Sequence, residues 1–288
     1  MEIEQYTDRI NQVYPDLSIE KVEKNETGQN NDVLIINDSL VFRFPKYKAG
    51  IDKLYKETKI LGLIKKGMKI HTPDPIYQSF DKLEVGKVFT GYPMIEGHII
   101  RPDEFSNVED KPKLDIRSLT LVNFLIRLHA YSKKDLPDES VPIFDEYKEL
   151  FEKIQLKLYP YMRDDAKNEV STLFEDFFER IDDFHFTPTL IHGDFGASNI
   201  LWDGDNLQLT GVIDFGESGF GDPAYDFAGI LASYGYDFFK LCIGHYFDDP
   251  EIEKRAVFYQ KTFALQEALH GIENGDELAF SRGIQGYT

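Results

Sequence analysis

The spacing of the apolar residues changes about one third of the way along the chain. Up to about residue 90, short apolar runs typical of strands alternate with turns, and residues 33–37 and 40–45 indicate a hairpin. An amphipathic helix is predicted over residues 51–66 and another strand over residues 85–90. The chain beyond about residue 100 is mainly helical, with a break near Pro160. These patterns predict an α+β fold with a small β-rich N-lobe, residues 1–93, and a larger helical C-lobe, residues 94–288.

Charge and composition narrow the range of partners. The 288 residues include 51 acidic and 32 basic side chains, which give a net charge of −19. Such a surface repels nucleic-acid phosphates and anionic membranes and attracts cations, although acidity also serves solubility alone. The single Cys242 excludes a disulfide framework within the chain and a cysteine-based zinc site.

The lengths of the apolar runs indicate where in the cell the protein is located. None approaches the roughly 20 residues that cross a bilayer, and the polar first residues do not form a secretion signal. We therefore expect a cytoplasmic protein with no membrane or nucleic-acid partner, and we expect it to be a monomer.

Two polar loops, each preceded by a short apolar run, contain the most informative residues. The first, HGDFGASN at residues 192–199, contains Asp194 and Asn199, and the second, IDFG at residues 213–216, contains Asp214. Phosphoryl transfer requires a carboxylate that orients the attacking hydroxyl and accepts its proton, and oxygen ligands that hold Mg²⁺ on the phosphates. The two loops contain the residue types that this chemistry needs.

In content, order and spacing, these loops resemble the HGDxxxxN and IDFG motifs of the aminoglycoside phosphotransferase and choline kinase superfamily, which parallel HRDxxxxN and DFG of protein kinases. The resemblance implies the two-lobed protein-kinase-like fold. It implies that Asp194 is the catalytic base and that His192 is structural. It also implies that Asn199 and Asp214 are the Mg²⁺ ligands.

The next segment, residues 219–228, resembles the GDPxxDxA segment of the same family, which begins a helix. Asp222 is a suitable helix N-cap, because Pro223 would occupy the first helical position. We therefore expect structural roles for Asp222 and Asp226. Protein kinases have an activation segment and an Ala-Pro-Glu motif in this region, and this sequence has neither.

The resemblance places the nucleotide, ATP or GTP, in the N-terminal lobe. Family members have a strand lysine where this chain has Arg43, and Glu57 on the following helix is its expected ion-pair partner. Gly28 lies where a loop would cover the phosphates, although it is the single glycine of that loop. Backbone groups of the hinge should bind the purine, and the cofactor-binding residues predicted there are Tyr92, Met94 and Ile95.

An acceptor with several ammonium groups needs carboxylates around it. We predict Glu217, three positions beyond Asp214, and Glu267, in an acidic C-terminal region, as substrate contacts; a solvated acidic face is the alternative. The predicted function is transfer of the γ-phosphate of ATP or GTP to a hydroxyl of an aminoglycoside-like polycation, an antibiotic-resistance activity. Chain length and the FPK strand agree best with the branch that phosphorylates 2''-hydroxyls.

Other functions remain open at this point. Arg43 and the hinge also suit a macrolide phosphotransferase, and a housekeeping sugar or amino-alcohol kinase would have the same motifs. From a different class, the chain could be a nucleotide-binding pseudokinase that only recruits partners. The intact Asp194, Asn199 and Asp214 argue against that last function.

Overall fold

The computed structural model describes residues 2–25, 30–100, 111–132, 134–135, 143–181, 184, 186–204, 208–246 and 249–288. The chain groups into two compact units, Met1–Arg101 with Ala197–Ser218 and Pro102–Gly196 with Gly219–Thr288. The first unit contains a five-stranded sheet and the second is mostly helical, which confirms the predicted α+β class. The lobe boundary after residue 93 stays a prediction; the contacts assign residues 94–101 and 197–218 to the first unit as well.

The main sheet of the first unit contains β1 (Val22–Asn25), β2 (Asn31–Ile36), β3 (Leu40–Pro45), β4 (Tyr77–Ser79) and β5 (Phe89–Pro93), in the order β1-β2-β3-β5-β4. Every neighbouring pair of strands is antiparallel. The predicted hairpin is β2–β3, and Asn37 and Asp38 in its turn have φ of 51° and 55°. Asn and Asp tolerate this left-handed conformation better than most residues, which explains the polar turn.

Two helices, α1 (Ile3–Val13) and α2 (Lys48–Ile64), pack on opposite faces of this sheet. Tyr6 and Ile10 of α1 join Phe42 and Phe44 of β3 in one buried apolar cluster. Arg43 lies between those two phenylalanines, so its side chain points to the other face, where α2 lies. The alternation of β3 thus separates the apolar core of this unit from the charged residues described below.

A second sheet of the first unit consists of β6 (His98–Ile99), β8 (Ile200–Trp202) and β9 (Leu209–Val212), in the order β6-β8-β9, and a 3-10 turn, Ala197–Asn199, precedes β8. Its strands are antiparallel, and Ile200 at the start of β8 pairs with Val212 at the end of β9. The predicted metal ligands Asn199 and Asp214 therefore lie at the same end of this sheet.

The second unit contains the helices α3 (Lys111–Leu128), α4 (Ile143–Lys157), α5 (Asp164–Glu179), α6 (Ala224–Gly244), α7 (Ile252–Asn274) and α8 (Glu277–Ile284), and the antiparallel pair β7 (Thr189–Ile191) and β10 (Gly219–Gly221). The predicted break near Pro160 is a 3-10 turn, Tyr159–Tyr161. Helices α7 and α8 touch at their backbones, because a Cβ on Gly271 would lie 2.2 Å from the Phe280 nitrogen. Across the described residues, none of the helices is both long and apolar enough to cross a membrane.

Candidate active site

Arg43 and Glu57 form a buried ion pair in the first unit, as the sequence predicts. Glu57 belongs to the buried stripe of α2, whose other members are Gly50 and five aliphatic residues. A charge in such a stripe needs a partner, and the Arg43 and Glu57 side chains are only 9% and 3% exposed. The family resemblance, which placed Glu57 on this helix as the partner of Arg43, was therefore a valid signal for this pair.

Asp214 joins this pair through Arg43, a contact that no sequence pattern indicated. Arg43 Nη2 donates a hydrogen bond to Asp214 Oδ1 at 2.9 Å, and the Asp214 side chain is half exposed. The φ of Asp214 is 61°, a left-handed conformation that is unfavourable for most residues with side chains. A Cβ on Gly216 would lie 3.3 Å from Asp214 Oδ1, so a glycine there leaves room for the carboxylate.

Burial and charge together fix the protonation of these groups. Burial, the largest cause, raises the pKa of Glu57, and Arg43 opposes that rise. Burial alone would lower the pKa of Arg43, but the Glu57 and Asp214 carboxylates raise it above its ordinary value. Burial raises the pKa of Tyr92, hydrogen-bonded to Arg43, to about 12. The site thus keeps a permanent positive charge at Arg43, which suits the binding of phosphate.

Asn199 and Asp214 have the ligand chemistry that Mg²⁺ requires. The N–H of Ile213 donates to the carbonyl oxygen of Asn199 at 2.9 Å, which ties the residue before Asp214 to Asn199. Carboxylate and amide oxygens are hard ligands of the kind that Mg²⁺ prefers. The two predicted ligands therefore fit a Mg²⁺ ion bound together with nucleotide phosphates.

The other residues predicted to contact the nucleotide are Met94, Ile95 and Gly28. The N–H of Met94 donates to the Ser39 carbonyl at 2.7 Å, so this N–H already has a partner in the protein. The Ile95 side chain packs on Gly211, where a Cβ would lie 2.5 Å from Ile95 Cγ2. Gly28 lies outside the described residues. Binding of nucleotide by these residues stays a prediction.

Asp194 belongs to the second unit, in the loop after β7, and Asp226 of α6 holds that loop. Asp226 Oδ2 accepts from the His192 N–H at 2.8 Å, and Oδ1 accepts from the Gly193 N–H at 2.9 Å. Asp226 is fully buried, and Nε2 of His129 lies 3.1 Å from Oδ2. Gly193 has φ of 82°, which favours glycine at the start of the turn. Asp226 therefore has the predicted structural role: it fixes the backbone just before Asp194.

Gly229, one helical turn beyond Asp226, brings α6 against the other side of the same loop. A Cβ on Gly229 would lie 2.5 Å from the Phe195 carbonyl oxygen and 2.8 Å from its carbon. Residues three apart share one face of a helix, so Asp226 and Gly229 contact the loop together. One face of α6 thus sets the backbone on both sides of Asp194.

A buried network anchors the start of α6. Asp222 Oδ1 accepts from the N–H of Ala224, the first residue of the helix, at 2.9 Å. The N-cap position itself is Pro223, one residue later than the sequence predicts, but Asp222 has the predicted structural role. Arg255 donates to both Asp222 oxygens, from Nε at 2.6 Å and Nη2 at 3.1 Å, and Tyr259 donates its hydroxyl at 2.8 Å. Burial raises the pKa of Asp222, while Arg255 and Tyr259 oppose the rise. The helix that positions the Asp194 loop is itself held at its first turn.

Two adjoining cavities lie in the second unit. The Asp194 cavity, of about 330 Å³, is bounded by the loop that contains Asp194 and by side chains of α6 and α7, including Tyr225, Ser233, Phe263 and Gln266. The acidic cavity, of about 940 Å³, lies among α5, α6 and α7, and its charged lining residues are Glu169, Asp176, Lys261 and Glu267. Ala232 and Phe263 line both cavities, so one wall separates them.

The two predicted substrate residues fall in different units. Glu267 lines the acidic cavity of the second unit. Glu217 belongs to the first unit, where its carboxylate lies 2.7 Å from Lys53 Nζ, and it lines neither of the two cavities. Both assignments stay predictions. The roles of Gly229 and Gln266 had no signal in the sequence, because they depend on how helices pack.

A family model described as a phosphotransferase enzyme family matches residues 21–258. The chain belongs to this family. The viomycin phosphotransferase of Streptomyces vinaceus is 27% identical to this phosphotransferase over 291 residues, 99% of each chain. The family and the kinase-like fold predicted from the two loops are confirmed.

Two solved structures illustrate the likeness of this phosphotransferase to known enzymes. The GDP and kanamycin complex of APH(2'')-IIIa superposes with a TM-score of 0.88 at 26% identity, covering 97% of this chain and 96% of that one. A macrolide 2'-phosphotransferase type I has a TM-score of 0.77 over 98% of this chain and 96% of its own, but its 18% identity supports a common fold alone. The predicted enzyme class is confirmed: the protein is a small-molecule kinase with a nucleotide as phosphate donor.

Proposed function

We propose that this phosphotransferase transfers the γ-phosphate of ATP or GTP to a hydroxyl of an aminoglycoside-like polycation. The acidic cavity beside the Asp194 cavity carries the proposal, because three carboxylates and only one ammonium group are among its lining side chains. An acceptor with several ammonium groups would place them there while one of its hydroxyls reaches Asp194. The net charge of −19 adds a long-range attraction for such an acceptor.

In this proposal each charged residue has one task. Asp194 orients the acceptor hydroxyl and takes its proton as the oxygen bonds to the γ-phosphorus and the nucleoside diphosphate leaves. Arg43, held by Glu57, contacts the phosphates. Asn199 and Asp214 would hold Mg²⁺, which neutralises phosphate charge when it is bound.

The remaining predicted contacts belong to the same proposal. Tyr92 and the backbone groups of Met94 and Ile95 border the purine, Gly28 lies in the loop over the phosphates, and Glu217 contacts the acceptor. We also propose that the enzyme acts as a cytoplasmic monomer and confers antibiotic resistance.

Turnover of a substrate panel is the direct test. Aminoglycosides, macrolides and amino alcohols are each incubated with Mg²⁺ and either ATP or GTP, and nucleoside diphosphate release and the mass of the product are measured. We expect an aminoglycoside to be phosphorylated and its KM to rise with salt, because screening weakens attraction at a partly solvated site. Asp194→Ala, assayed in parallel, should bind nucleotide but lose turnover, which excludes a contaminating kinase.

A pair of charge variants on α7 tests whether the acidic cavity is the binding site. Glu267→Gln should raise the acceptor KM by about two- to fivefold, the range for an exposed ion pair, and should weaken its salt dependence. Glu273→Gln removes the same charge from the same helix, but that carboxylate pairs with Lys157 and lines neither cavity, so KM should not change.

A macrolide is the second candidate acceptor, because the aromatic side chains of Tyr225 and Phe263 line the Asp194 cavity. A large apolar ring would bind mainly by burial and would show a flat response to salt. Turnover of a macrolide together with no turnover of any aminoglycoside would overturn the polycation assignment.

A further inference from the structure

The side-chain amide of Gln266 is held in one orientation by the residue one turn earlier in α7. The Thr262 hydroxyl donates its single proton to the Tyr259 carbonyl at 2.7 Å. Thr262 Oγ1 can then only accept, so the group that faces it at 2.8 Å must be the Gln266 NH₂. Thr262 is fully buried, which fixes this relay in the helix. The carbonyl oxygen of Gln266 is consequently directed away from Thr262.

That carbonyl oxygen is available to a ligand in the Asp194 cavity. Gln266 lines this cavity together with the loop that contains Asp194. Among the described residues, no group donates a hydrogen bond to Gln266 Oε1. This oxygen is an oriented hydrogen-bond acceptor without a donor from the protein, and it belongs to the same cavity as Asp194. Such an arrangement selects a ligand that has a hydrogen-bond donor.

Successive residues of α7 face the two cavities with different chemistry. Glu267 lines the acidic cavity, whereas Gln266 presents a neutral acceptor to the Asp194 cavity. A carboxylate at position 266 would raise the pKa of Asp194, since like charges disfavour ionisation, and would change the base that the reaction needs. A neutral amide recognises a donor without that effect.

We propose that Gln266 is a specificity-determining residue that accepts a hydrogen bond from a second donor of the acceptor, a hydroxyl or amino group on the carbon next to the reacting hydroxyl. The inference rests on the proposed function and makes it narrower: the acceptor is a vicinal diol or a vicinal amino alcohol. Thr262 is the positioning residue, because it sets which end of the amide faces the acceptor.

The test compares kanamycin, with its phosphorylated hydroxyl mapped by NMR, with the analogue in which the neighbouring donor is replaced by hydrogen. Wild-type enzyme should prefer kanamycin in kcat/KM. Gln266→Met keeps the size of the side chain but removes the acceptor, and it should lower kcat/KM for kanamycin by about three- to tenfold, the effect of one hydrogen bond. The analogue should be little affected, so the preference should approach one.

Further variants separate recognition from packing. Gln266→Glu keeps an oxygen acceptor and should retain the preference, with the pH profile of kcat moved to higher pH. Thr262→Val frees the amide to turn and should reduce the preference. Gln155→Met makes the same change on α4, at an exposed residue that lines neither cavity, and it should leave the preference intact.

Two results would overturn the inference. If Gln266→Met lowers kcat/KM equally for kanamycin and for the analogue, the residue only packs. If Gln266→Glu loses the preference as Gln266→Met does, the amide acts through its NH₂ group. Failure of the proposed function gives a different result from these two, because wild-type enzyme would then phosphorylate no aminoglycoside. In that case the same variants are measured on the panel acceptor that is turned over and on its analogue without the neighbouring donor.

Discussion

Replacing Gly229 by alanine tests whether helix α6 sets the position of Asp194. The new Cβ would lie 2.5 Å from the Phe195 carbonyl oxygen, whereas ordinary contact begins at 3.4 Å. Backbone must therefore move by up to about 0.9 Å, the difference between these two distances. The conflicting atom belongs to the peptide between Phe195 and Gly196, one residue beyond Asp194, and Asp226 holds the loop on the other side of Asp194.

The expected result is a loss of turnover at nearly normal nucleotide affinity. A misplacement of about 1 Å at a reacting group costs up to about 100-fold in rate, so we expect Gly229→Ala to lower kcat by about 10- to 100-fold. Steady-state kinetics with a substrate found in the panel gives kcat, and nucleotide titration gives Kd. Nucleotide Kd should stay within about twofold, because Arg43, the proposed phosphate contact, and Asp214, a proposed Mg²⁺ ligand, belong to the other unit.

Gly244 supplies the control; it is the last residue of α6 and lies beyond the non-helical residue Gly235, whose φ is 80°. A Cβ there would meet nothing within 4 Å, so Gly244→Ala should leave kcat unchanged. If Gly229→Ala also retains full kcat, the loop relaxes without moving Asp194 and the reasoning is wrong.

Two further predictions concern the charged groups. Arg43→Lys should keep activity within about tenfold, because the cation remains between Glu57 and Asp214. Arg43→Ala leaves Glu57 buried without its partner and should cost about 3 kcal/mol of stability along with most nucleotide affinity. Thermal unfolding measures the stability and nucleotide titration the affinity; equal behaviour of the two variants would contradict the role of Arg43. Asp226→Asn should lower kcat at least about tenfold and speed hydrogen exchange at one of the two amides, His192 or Gly193, because the NH₂ group that replaces one carboxylate oxygen cannot accept from it. Unchanged exchange rates at both amides would show that other contacts hold the loop.

Local patterns were sufficient for the fold class and for the two loops. The hairpin β2–β3 and the break at Tyr159–Tyr161 follow from turn residues and periodicity, which depend on near neighbours in sequence. The strand predicted over residues 85–90 is wrong in its bounds. Gly86 has φ of 79° in a turn, and β5 begins at Phe89 and pairs with β3 as far as Pro93. Pairing with residues of β3 that lie 47 to 53 positions earlier, and not the local apolar run, decides where β5 lies.

The pairing of Arg43 with Glu57 was predictable from the resemblance of its helix to that of the family, and the structure shows the ion pair. The link from Arg43 to Asp214 joins residues 171 positions apart, and no spacing rule reaches that far. The same holds for the contact of Gly229 with the Asp194 loop and for the cavity that Gln266 lines, because both depend on the packing of two helices.

The acidic cavity has a consequence for what happens after transfer. Under the proposed function, Glu169, Asp176 and Glu267 attract an acceptor through its ammonium groups before reaction. Phosphorylation adds about −1.5 to −2 charges to that molecule, and the added charge lies beside Asp194 and among carboxylates. The attraction that favours entry of the acceptor is thereby reduced for the product. The same cavity would shorten the residence time of the phosphorylated molecule, so product release can proceed without a separate conformational step to drive it.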